Sequence, residues 1–118
     1  MNIIYIIFLN FFILLHPAWA KISPQEQQRG QQIYHMGDAK KKITACIACH
    51  SPTGSGNARA GFPRLSGQHA EYTIHQLEAF KLKRRSNDVN GVMRDITRHM
   101  SPEDIRAVAL YIQSLPQD

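Results

Sequence analysis

The chain has 118 residues, 43% of them hydrophobic, a formal charge of +5 and only two cysteines. That length leaves room for one domain with a modest core. Two thiols alone cannot build a zinc cluster without further ligands from a second group, and no nucleic-acid recognition motif accompanies the positive charge.

In chain order, residues 3–15 come first, an apolar run interrupted only by Asn10. Ala18-Trp19-Ala20 follows as a small-x-small cleavage site, so residues 1–20 are expected to be a signal peptide with a mature chain from Lys21. No Lys or Arg precedes the run, which leaves a retained membrane anchor as the alternative. The run is shorter than the roughly 20 residues that span a bilayer. Either way the domain, residues 21–118, is expected outside the cytoplasm, in a bacterial periplasm. The leader holds no Asp, Glu, Lys or Arg, so the whole net charge belongs to the mature part.

Ser23-Pro24-Gln25-Glu26 reads as a capped helix start. The helix is predicted to reach Met36, with Gly37 as its stop. Gly30 is costly inside a helix, at about 1 kcal/mol relative to Ala. A close crossing with the last helix, Tyr34 against Tyr111, would justify it.

Cys46-Ile47-Ala48-Cys49-His50 is next, a C-x-x-C-H pattern. Two thiols at this spacing suit addition to the two vinyl groups of one porphyrin, and the adjacent imidazole is placed to reach its iron. The pattern implies one covalent haem c, held by Cys46 and Cys49 and ligated by His50. A bare C-x-x-C also serves thiol–disulfide exchange, but that motif belongs beside a βαβ pattern, which is absent here. Residues 51–66 are rich in Gly, Ser, Pro, Asn and Ala and read as a long loop with a reason to wrap the haem edge.

A helix is predicted from His69 to Lys83, with Ala70, Ile74, Leu77 and Phe80 toward the core. Residues 84–98 are expected to be mixed, with Asn87, Asn90 and Gly91 breaking regular structure and an irregular stretch after Gly91. Ser101-Pro102 opens the last helix, whose apolar face is Ile105, Val108, Ala109, Ile112 and Leu115, ended by Pro116. No strand pattern stands out, so the fold class is all-α.

The second iron ligand must come from a distant Met or His. Met100 has another task, as a hydrophobic staple with Ile105 across the N-cap Ser101. Met36 belongs to the first helix. Met93 follows Gly91 with no helical face to serve, so it is the first choice and Met100 the second. His75 and His99 are the bis-His alternatives.

These motifs, with residues 61–69, Tyr72, Gln76-Leu77, Phe80, Arg85-Ser86-Asn87-Asp88, Met93-Arg94 and Tyr111-Ile112, resemble class I c-type cytochromes, nearest to the cytochrome c4 group. The resemblance implies a small cytochrome c fold with crossing N- and C-terminal helices and haem-wrapping loops. It implies His50 and Met93 as axial ligands. It also implies that the Pro63 carbonyl fixes the His50 imidazole from its other nitrogen. That group carries two haem domains in tandem, and this chain matches one, resembling the second half. Ser51 stands where the family often has Gly, a departure expected to be harmless.

The function implied is electron transfer, not enzymatic turnover, between redox proteins such as a membrane respiratory complex or a terminal oxidase. The basic clusters Lys40-Lys41-Lys42 and Lys81, Lys83, Arg84, Arg85 would steer an acidic partner or an anionic membrane surface. The alternative is a small-ligand sensor or peroxidase-like protein with an open iron position.

Overall fold

Each helix begins where the chain offers a side chain to its free N–H groups. The computed structural model describes residues 21–117, so the expected leader, residues 1–20, lies outside the described residues. Helix α1 (Pro24–Met36) opens with a complete capping box. The Glu26 N–H donates to the Ser23 hydroxyl at 3.1 Å, and the Ser23 N–H donates to the Glu26 carboxylate at 2.9 Å. Helix α5 (Pro102–Gln113) repeats the device with Ser101 and Asp104. Between them lie α2 (Ile47–His50), α3 (Ala70–Lys81) and α4 (Val92–Thr97), with short 3-10 turns at Ala58–Ala60 and Val89–Gly91. There is no strand among the described residues, only isolated bridges Asp38–Ile43 and Asn57–Phe62.

The pairing of α1 with α5 organises the core. At Gly30 a Cβ would lie 2.2 Å from the Ala107 carbonyl oxygen and 2.7 Å from Tyr111 Cβ, so only glycine allows this approach. One turn on, the Tyr34 and Tyr111 rings meet with centroids 5.6 Å apart. His35 Nε2 and the Tyr111 hydroxyl are 2.7 Å apart on the same seam. Ile33, Tyr34, Ile105 and Val108 are fully buried there, and Met100 joins the same cluster as Ile105, as a staple requires.

Ion pairs close the edges of this seam. Arg29 binds Asp38 at 2.9 Å and Asp104 at 2.8 Å, and Lys41 binds Asp104 at 2.7 Å. Arg106 reaches Glu26 at 2.7 Å. Burial would push the Asp104 carboxyl up, but Lys41, the Ser101 N–H and Arg29 outweigh it and hold the group at about 2.

Three expectations change. The stretch after Gly91 is not irregular, because α4 occupies Val92–Thr97. Asn90 and Gly91 do break regular structure, with φ of 55° and 69°, but the break lies just before a helix. Asp88 starts that helix by accepting the Arg94 N–H at 3.0 Å. Leu115 is buried but lies beyond the end of α5. Leu82 and Lys83 follow α3 in its terminal turn, and Leu82 is exposed.

Two outcomes follow from this seam. Gly30→Ala is expected to destabilise by about 1–3 kcal/mol despite the better helix propensity of Ala, because two helices must part; thermal unfolding measures it. The Asp104 carboxylate is depressed, so its contribution of about 2 kcal/mol is present above pH ~4 and is lost as pH falls toward 2. Asp104→Asn is expected to flatten the acid limb of a stability–pH profile in that window.

Candidate functional site

Cys46 is the N-cap residue of α2, and the His50 N–H bonds to its carbonyl at 2.9 Å. One turn of backbone therefore carries both sulfurs and the imidazole. Burial pushes the Cys46 thiol up to about 12.

The loop that follows is more ordered than its composition suggests. Asn57 and Phe62 exchange backbone hydrogen bonds of 2.8 and 2.9 Å across the Ala58–Ala60 turn. The Gly56 N–H returns to the His50 carbonyl at 2.9 Å, and the Leu65 N–H to the Gly54 carbonyl at 2.7 Å. Gly56 has φ +72°, and a Cβ there would strike the Phe62 and Pro63 carbonyls at 2.5 and 2.6 Å. This approach brings the Pro63 carbonyl to 2.8 Å from His50 Nδ1. A carbonyl only accepts, so Nδ1 carries the proton and Nε2 keeps its lone pair. Burial lowers the His50 pKa, partly offset by the bond to Pro63, and the ring is neutral at neutral pH.

His50 forms one wall of a cavity of about 400 Å³. Cys46, Cys49, Phe62, Leu65, Leu77, Phe80 and Ile96 supply mostly apolar lining. Met93, in the first turn of α4, lines the same space and is half-buried. The reason given for choosing Met93 therefore fails, since it lies on a helix, yet the residue itself reaches the cavity. α4 is fixed from behind: the Thr97 hydroxyl donates to the Met93 carbonyl at 2.7 Å, and Thr97 is fully buried. Met100 also lines the cavity while serving the core. Met36 is 73% exposed.

Among the described residues, no histidine besides His50 lines the space. His75 is exposed, and His99 accepts a hydrogen bond from Arg98, so neither supports a bis-His site. The described residues also contain no cluster of three or more His, Cys, Asp or Glu suited to a metal ion.

The cytochrome c family model matches residues 17–116. The chain belongs to the cytochrome c family. It is 42% identical over 106 residues to cytochrome c4 of Azotobacter vinelandii, covering 89% of this chain and 50% of that protein. It is 38% identical over 103 residues to a thiosulfate dehydrogenase electron acceptor of Stutzerimonas stutzeri, covering 86% and 47%. The crystal structure of reduced recombinant cytochrome c4 from Pseudomonas stutzeri superposes with a TM-score of 0.75 at 40% identity, over 80% of this chain and 50% of that one. The chain thus spans about half the length of these relatives. Its cofactor is the family's covalently bound haem c with its iron.

The donor set suits that cofactor: two thiols on one turn, an imidazole with its outer nitrogen already bound, and a thioether facing the same apolar space. Sequence reasoning missed how Gly56 shapes this cytochrome c site, since a glycine in a glycine-rich loop carries no distinctive signal. It also misjudged Ser51. That residue has φ 71° and ψ 163°, a region occupied almost only by glycine. The Ser51 hydroxyl accepts the Ser55 N–H at 3.0 Å, and the Ser51 carbonyl accepts the Tyr34 hydroxyl at 2.7 Å, which hold the strained turn in place.

Ser51→Ala and Ser51→Gly both lose the hydroxyl, but only Gly relaxes the backbone. The Gly variant is expected to be more stable than the Ala variant by about 1 kcal/mol. Equal melting temperatures for the two holoproteins would show that position 51 stores no strain.

Proposed function

We propose that this protein is a periplasmic electron carrier with one haem c, linked through Cys46 and Cys49 and ligated by His50 and Met93. The observation that carries the reading is the cavity lined by both His50, with Nε2 free to bind, and Met93. The bound haem supplies a one-electron couple between ferric and ferrous iron. His50 gives a neutral imidazole whose tautomer the Pro63 carbonyl fixes, so the ring needs no proton loss before it binds iron. Met93 gives a soft thioether, which favours the ferrous state and raises the potential. Two retained ligands keep the geometry similar in both oxidation states, so little rearrangement opposes transfer.

Exit and entry of the electron are proposed at the open side of the cavity, where Tyr72, Val89 and Val92 are exposed beside Phe62. An adjoining groove that reaches Cys49 carries Lys81, Lys83, Arg94 and Arg98 against Asp88 and Asp95. Its excess of positive charge suits a brief encounter with an acidic redox protein, aided in on-rate by long-range attraction. A relative named as an electron acceptor of thiosulfate dehydrogenase supports a soluble or membrane-bound redox enzyme as the donor class. The apolar run at residues 3–15 and the Ala18-Trp19-Ala20 site support export of residues 21–118 to the periplasm. No helix of the described residues is long and apolar enough to cross a membrane.

The test is spectroscopic. Met93→Ala is expected to abolish the weak thioether-to-iron absorption band of the ferric protein, to admit carbon monoxide to the ferrous protein, and to leave the haem attached. Met100→Ala is expected to keep the band and lose about 2–5 kcal/mol of stability as a core truncation. Loss of the band in Met100→Ala alone would transfer the ligand role to Met100. Fast, complete carbon monoxide binding by the unaltered ferrous protein would favour the open-iron alternative.

A further inference from the structure

The peptide group that joins Met93 to Arg94 is held at both ends by buried side chains. Its carbonyl, that of Met93, accepts the Thr97 hydroxyl at 2.7 Å. Its N–H, that of Arg94, donates to Asp88 Oδ2 at 3.0 Å. Thr97 is fully buried, and the Asp88 side chain is 3% exposed. The other Asp88 oxygen, Oδ1, accepts Arg94 Nε at 2.9 Å, so both carboxylate oxygens serve one residue. Burial would raise the Asp88 carboxyl, but the N–H groups of Arg94 and Asp88 and the Arg94 guanidinium outweigh it and hold the group below the ordinary carboxylate range. The carbonyl and N–H of a trans peptide point in opposite directions, so the two contacts together fix the tilt of its plane.

The local chain shows why this peptide is clamped. α4 has six residues, too few to persist alone. It follows two residues in the left-handed region, Asn90 at φ 55° and Gly91 at φ 69°, and the first of these carries a conformational cost. Gly91 is the N-cap residue and has no side chain to offer the free N–H groups of the first turn. Asp88 supplies the acceptor instead and closes the turn Val89–Gly91 against the helix start. Asp88 borders both the cavity and the adjoining groove, with Arg94 on the groove side.

We propose that Asp88 and Thr97 are positioning residues for Met93: by clamping this peptide they hold the thioether toward the cavity and slow its release from iron. This rests on the Met93 reading above. Each side chain acts through the backbone and touches no reacting atom. Foreign ligands then reach the iron only when α4 tips, so the clamp keeps the protein an electron carrier and not a ligand binder.

The experiment titrates the ferric holoproteins with imidazole at neutral pH and follows the absorption spectrum, after mass spectra establish that haem is attached. Asp88→Asn removes the ion pair, and Thr97→Val removes the hydroxyl. Each is expected to bind imidazole about tenfold more tightly than the unaltered protein, the effect of one lost buried hydrogen bond. Thr97→Ser keeps the hydroxyl and is expected to stay within about twofold of the unaltered protein. Two controls separate positioning from general loss of stability. Asp95→Asn breaks the exposed Asp95–Arg98 pair on the same helix, and Asp104→Asn loosens the edge of the α1–α5 seam. Neither is expected to alter imidazole affinity. An affinity unchanged in Asp88→Asn or Thr97→Val, or raised as much in Thr97→Ser, Asp95→Asn or Asp104→Asn, would overturn the proposal and leave the Met93 reading intact. If Asp88→Asn yields no holoprotein, Thr97→Val against Thr97→Ser decides. An unaltered ferric protein without the thioether-to-iron band would overturn the Met93 reading and the proposal with it.

Discussion

The approach of Gly30 to the Ala107 carbonyl is the constraint on which the rest of this domain depends. It brings α1 and α5 together closely enough for Tyr34 to be fully enclosed. From there the Tyr34 hydroxyl reaches the Ser51 carbonyl, next to His50. Burial pushes the Tyr34 phenol up to about 12, so it remains a donor across the accessible pH range. The helix crossing is thereby connected to the cavity-lining histidine through one side chain and one carbonyl. A disturbance at Gly30 would be felt at His50 although neither touches the other.

The site is built largely from backbone. Pro63 contributes a carbonyl, Gly56 contributes the room for it, and His50 returns its own carbonyl to the Gly56 N–H. A polar loop beside an apolar cavity must satisfy its own amides internally, since the cavity offers them nothing. The Asn57–Phe62 bridge and the hydrogen bonds around Gly54 do that. α4 follows the same logic on the other side, where Asp88 and Thr97 secure a helix of six residues that would not persist alone.

The helices were legible because their caps are side-chain chemistry written in adjacent residues. Ser23 with Glu26 and Ser101 with Pro102 specify starts that need no tertiary information. The Cys46–His50 turn was legible for the same reason, a four-residue helix and its N-cap written in adjacent residues. The crossing at Gly30 could be suspected from an otherwise costly glycine. The order in residues 51–66 could not, because it comes from backbone bonds between residues of low propensity. α4 was hidden because Asn90 and Gly91, read as breakers, terminate a turn and leave the next residues free to coil.

The placement of Cys46 and Cys49 has a bearing on durability. Both side chains are partly buried and border the same cavity. A group filling that space would lie against the pair and shut out oxidants, so occupancy would protect two sulfurs that are otherwise open to damage.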